Sequence, residues 1–106
     1  MQSELKSKWI EALRSGKYNQ GESYLRHENQ YCCLGVLCEV MGIGWVGPDE
    51  EGDYYPDVEG HRDFSMLTAA LLSRAELLNV EQETLAQMND NGVQFPQIAD
   101  YIEETL

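Results

Sequence analysis

The run "QYCCLGVLCEVMG", residues 30–42, constrains this chain more than any other stretch, because it leaves almost no face for water. Helical geometry puts Cys33, Leu34, Leu37, Cys38 and Met41 on one broad stripe, and Val36 and Val40 widen it. A helix this apolar belongs in the middle of a core. It runs from Cys32 or Cys33 to Met41 and is stopped by Gly42 and Gly44. Gly35 inside it lets a neighbouring backbone come close.

The three thiols of that run do not read as a metal site. Zinc needs Cys pairs at short spacing with two further ligands, and the chain offers neither. On a helix Cys33 and Cys38 diverge by about 140° and Cys32 and Cys38 by about 240°, at about 100° per residue. No metal and no cofactor is expected. A nucleophilic thiol needs a setting that lowers its pKa. Cys32 and Cys33 stand near a helix start, so a small hydrolase or transferase using either with His27 or His61 is the catalytic alternative. Burial as inert small hydrophobes is the simpler reading, and no catalytic residue is assigned.

Around this centre the chain reads as one domain, residues 1–106. "SELKSKWIEALRSG" is an amphipathic helix with Leu5, Trp9, Ala12 and Leu13 inward, Ser3 as its cap and Gly16 just past its end. A hairpin across Glu28-Asn29 sets His27 opposite Gln30 and Arg26 opposite Tyr31. Residues 43–63 read as a long acidic loop, with Trp45 and one tyrosine pinning it to the core. Three helices follow: residues 65–78, residues 80–90 with Asn79 as cap and Gln82 completing a capping box, and residues 96–106 with Pro96 in the first turn. The expected fold is therefore mainly α, with minor β content. About five helices pack around the Cys/Leu-rich helix, with one short hairpin and the acidic loop.

Charge narrows the partners. The net of −12 divides into +1 over residues 1–30 and −13 over residues 31–106. Such a field opposes direct DNA binding and contact with anionic membranes. No apolar run approaches the ~20 residues of a bilayer span, and a chain without a leader pattern is expected in the cytoplasm.

Two surfaces remain as candidates for binding. In "RSGKYNQGESYLRHENQY", Arg14, Lys17 and Arg26 offer cations, Tyr18 and Tyr31 offer rings, and Gln20 offers an amide. That combination suits a nucleotide-like ligand, with phosphate on the cations and a base on the rings. The same residues also suit a plain amphipathic surface with half-buried tyrosines. The second candidate is the acidic loop, where Asp49, Glu50, Glu51, Asp53, His61 and Arg62 could dock on a basic protein. Both histidines read as solvated loop residues. "MNDNG", residues 88–92, reads as a helix C-cap and turn whose polar heads could also brace another loop or bond a ligand.

The pieces "ALRSGKYNQG", "YCCLGVLCEVMG" and "LAQMNDNGVQFPQIADYIEETL" together resemble a family of small uncharacterised tailed-phage and prophage proteins. The resemblance covers residues 9–42 and 85–106, and more loosely 66–78. It implies a non-enzymatic accessory protein that binds a host factor in the host bacterial cytoplasm. Countering host defence by sequestering a nucleotide-like signal is one such role, and acidic docking on a host protein is another. A homo-oligomer is compatible with either.

Overall fold

The apolar run forms the central helix of the computed structural model, which describes residues 1–106. In chain order the elements are α1 (Ser3–Arg14), β1 (Asn19–Gln20), β2 (Arg26–His27), β3 (Gln30–Tyr31), α2 (Cys33–Val40), β4 (Trp45–Val46), β5 (Asp53–Pro56), α3 (Ala69–Ala75), α4 (Asn79–Asp90) and α5 (Phe95–Thr105). Every residue of α2 from Cys33 to Cys38 is buried. Helices α1 and α4 pack on it, and α5 packs on both of those. Trp9 on α1 donates its indole N–H to the Cys33 carbonyl at 2.9 Å, fixing the α1–α2 crossing from inside the core.

Gly35 sets how close α2 sits to the hairpin. A Cβ at this position would overlap the Leu25 carbonyl oxygen just before β2. Leu25 is itself fully buried, and its N–H donates to the Phe64 carbonyl at 2.8 Å. One residue thus joins helix, hairpin and the segment leading to α3.

A mainly helical domain with one hairpin does not describe this structure. Five strands form a mixed sheet in the order β1-β3-β2-β5-β4, with β1 parallel to β3 and every other pair antiparallel. With 47% of residues helical and 11% in strands, the fold is α+β. The hairpin is present with Arg26 opposite Tyr31 and His27 opposite Gln30, and Glu28 takes a positive φ of 52° in its turn. Around it the sheet grows through backbone pairing of very short segments. Two-residue strands such as Asn19–Gln20 are too brief to carry a period-2 pattern.

The acidic stretch 43–63 is not one loop. Trp45–Val46 and Asp53–Pro56 pair with each other, and Asp53 and Tyr54 pair in turn with His27 and Arg26. The turn between them is held by Asp49, whose Oδ1 accepts from the Glu51 and Asp53 N–H groups at 2.9 Å each.

Three helix boundaries also differ from expectation. Gln2, not Ser3, caps α1, its Oε1 accepting from Leu5 N–H at 2.8 Å. Helix α3 covers only Ala69–Ala75, because Asp63 captures the Ser65 and Met66 N–H groups in a turn and Glu76 ends the helix in the left-handed region. At α4 the N–H of Leu78 donates to Glu81, while Gln82 turns inward and brackets the buried backbone of Leu67 on both its N–H and its carbonyl.

Candidate functional site

Cross-strand pairing builds the site. Tyr31, Arg26 and Tyr54 are opposed partners on β3, β2 and β5, so they form one row on one face of the sheet. The Arg26 guanidinium lies 3.9 Å from the Tyr54 ring centroid, 5.4 Å from that of Tyr31 and 5.9 Å from that of Trp45. Its Nε donates to the Glu28 carbonyl at 2.7 Å. No carboxylate pairs with it, although the chain carries 19 acidic residues. Stacking and one backbone bond therefore hold the cation in place and leave both terminal amino groups without a protein acceptor.

The aromatic strip continues from Trp45 through Tyr31, at 6.1 Å, to Tyr18, at 5.4 Å and edge-on. Tyr18 and Tyr31 are half-buried, and burial first, then the Glu39 charge, raises both phenol pKa values. Glu39, at the end of α2, is fixed by the Trp45 indole N–H, which donates to its Oε2 at 2.7 Å. Beside Tyr18 an open groove of about 230 Å³ runs between α1 and the end of α2, lined by Lys8, Glu11, Lys17 and Val40 among others.

The proposed ligand set thus divides. Lys17 and Tyr18 lie at the groove, and Tyr31 and Arg26 continue from Tyr18 along the strip. Arg14 is committed elsewhere: it donates to Asp100 at 2.7 Å and to both Glu103 oxygens at 3.3 Å, which raise its already high pKa. Gln20 faces inward. Its Nε2 donates to Asn89 Oδ1 and the Val93 carbonyl, and its Oε1 accepts from the Phe95 N–H. Both readings of "MNDNG" hold: Asn91 caps the end of α4 and Gly92 turns with a φ of 89°, while Asn89 is fully buried and braces β1 through these bonds.

The acidic set divides as well. Glu50, Glu51 and Arg62 are exposed, and Asp49 is an exposed turn cap. Asp53 is buried and bonded at 2.8 Å to Nδ1 of His27, whose pKa it raises. Neither histidine is a free loop residue. His61 is fully buried, its Nδ1 accepts from the Asp63 N–H at 3.2 Å, and its Nε2 has no partner. Burial lowers its pKa.

No thiol is poised for catalysis. All three are buried, and burial pushes Cys32 up to about 11, Cys38 up to about 12 and Cys33 well above its ordinary value. Cys33 Sγ points at the Leu85 carbonyl, 3.6 Å away. No three His, Cys, Asp or Glu side chains converge as a metal site.

Tyr54, Trp45 and Glu39 adjoin the candidate set and are not among the binding residues that spacing along the chain suggests. Reading "DYYP" as a strand in phase with the hairpin would have placed Tyr54 beside Arg26.

No helix is long and apolar enough to cross a membrane. No curated protein and no solved structure gives a significant match. A family model described as a domain of unknown function, DUF8296, matches residues 1–106. The chain belongs to that family.

Proposed function

We propose that this protein is a non-catalytic binder of a planar, phosphate-bearing ligand, taken up on the aromatic strip. The observation that carries the reading is Arg26, a cation positioned by three rings and one carbonyl and paired with no carboxylate. Leaving such a group unpaired in so acidic a chain makes sense when its partner is a ligand anion, since guanidinium binds phosphate through two parallel hydrogen bonds. Lys17 supplies a second cation beside Tyr18, and Tyr18, Tyr31 and Trp45 supply faces on which a base stacks. Residues 1–30, which provide Lys17, Tyr18 and Arg26, are also the only region where an anion meets no net repulsion.

The motif resemblance to small phage proteins supports placing this binding in host interaction, with removal of a nucleotide signal as the biological effect. Docking of the exposed acidic turn at Asp49–Glu51 on a basic host protein is the competing reading.

Thermal unfolding against a panel of mononucleotides, cyclic mononucleotides and cyclic dinucleotides separates the two. A ligand present at 100 times its Kd adds about 2.7 kcal/mol of stability by mass action. Arg26→Ala should remove that gain and Lys17→Glu should reduce it, with unliganded folding retained. No stabilisation by any nucleotide, together with salt-sensitive capture of a basic host protein by the wild type, overturns the small-ligand reading.

A further inference from the structure

The aromatic strip holds one group whose chemistry is opposite to that of Arg26. Glu39 lies against Trp45, close enough to Tyr18 and Tyr31 for its charge to act on both phenols. Its Oε2 takes the indole N–H at 2.7 Å, and its Oε1 accepts from no protein donor. An ionised carboxylate only accepts hydrogen bonds and has about four lone-pair positions, so one indole bond leaves most of its capacity open.

We infer that Glu39 reads the base of the ligand, and that this base is guanine or an analogue with two adjacent N–H donors on its pairing edge. The inference rests on the reading of the strip as a site for a phosphate-bearing planar ligand. A carboxylate repels phosphate, so a ligand carrying both parts turns its base toward Glu39 and its phosphate away from it, to Arg26 or Lys17. Guanine then presents N1–H and its 2-amino group to the two carboxylate oxygens. Adenine presents an unprotonated N1 at the same place, which sets a lone pair against a negative charge. A half-buried carboxylate that only accepts favours a base that donates to it over one that sets an acceptor lone pair against its charge. Trp45 fixes the carboxylate before the ligand arrives, and Tyr18 and Tyr31 offer the stacking faces beside it.

Calorimetric titration of the full chain with GMP, IMP and AMP tests this. GMP should bind at least tenfold more tightly than AMP, and IMP, which lacks the 2-amino group, should fall between them. Glu39→Gln should cut GMP affinity at least tenfold and raise AMP affinity, because the neutral amide removes the charge set against adenine N1 and can donate to it. Trp45→Phe, which keeps a ring but removes the indole donor, should lose part of the preference. Equal binding of GMP and AMP, with both abolished by Arg26→Ala, overturns the role of Glu39 and leaves the binding site standing. Binding of none of the three, nor of any cyclic nucleotide, overturns the site itself.

Discussion

Oδ1 of Asn89, at the last turn of α4, accepts from the backbone N–H of Cys33 at the first turn of α2, 3.2 Å away. The same oxygen accepts from Gln20 Nε2 at 3.0 Å, and Asn89 Nδ2 donates to the Gly21 carbonyl at 2.8 Å. One buried amide therefore ties two helices to β1 and the turn after it. Ser23 N–H completes the tie by donating to Asp90 at 2.8 Å.

Replacing Asn89 by Ala leaves the Cys33 N–H and the Gly21 carbonyl without these partners. Stranded buried groups cost about 1–3 kcal/mol each, so a loss on the order of 3 kcal/mol is expected in urea unfolding. Asn89→Asp keeps the acceptor and loses the donor, setting a carboxylate against the Gly21 carbonyl. That variant should be less stable than wild type at pH 7 and regain part of the loss in acid, where a protonated carboxyl donates again.

Gly35→Ala reverses a common expectation. An exposed helical glycine changed to alanine gains about 0.5–1 kcal/mol. Here the new methyl meets the Leu25 carbonyl, which is backbone and cannot rotate away. Over-packing of this kind costs about 1–3 kcal/mol, and the upper end is expected because both residues are fully enclosed. Thermal unfolding of Gly35→Ala beside Gly60→Ala checks the contrast. Gly60 has open space around it and a φ of 83°, so its cost is conformational only.

How much of this was legible in the sequence follows from what each signal measures. Side-chain periodicity reports burial, so the α2 core, the inner faces of α1 and α5, and the close approach at Gly35 could all be read. The sheet could not, because Asn19–Gln20 and Trp45–Val46 are joined to it by backbone bonds that leave no mark on side-chain pattern. The site suffered from the same blindness. Arg26, Tyr31, Lys17 and Tyr18 are close in sequence and were visible, whereas Tyr54 reaches Arg26 only through the β2–β5 pairing. Gln20 reads as a ligand-facing amide and Asn89 as part of a helix cap or a brace, because composition does not say which way an amide faces. His61 was obscured for a related reason: polar neighbours in the sequence do not prevent a loop from folding its histidine inward.

The cysteines give a kinetic prediction. With pKa values pushed to about 11 and about 12 for Cys32 and Cys38, almost no thiolate exists at pH 8, and the groups are enclosed as well. Alkylation by iodoacetamide should proceed only through opening of the core, so all three should react together at the rate set by global unfolding. Added urea should accelerate the three in parallel. Rapid, selective labelling of one cysteine in the native protein would return the thiol-dependent enzyme to consideration.

The two histidines should pull stability in opposite directions with pH. His27 donates to buried Asp53, and that hydrogen bond raises its pKa above the ordinary value of 6.5. The folded state then holds its proton more tightly than the unfolded one. The contribution is complete below about pH 6.5 and fades as pH rises through the raised folded value. His61 is buried with Nδ1 accepting from the Asp63 N–H, and burial lowers its pKa despite the Asp63 charge. The unfolded state now binds the proton more readily, so stability is full above about pH 6.5 and declines as pH falls toward the lowered folded value. His27→Asn can still donate to Asp53 but does not titrate, and it should flatten the alkaline limb alone. His61→Asn can still accept from Asp63, and it should flatten the acid limb alone. Urea unfolding of the wild type and both variants from pH 5 to pH 8.5 resolves the limbs, and a profile left unchanged by both substitutions would disprove the assignment.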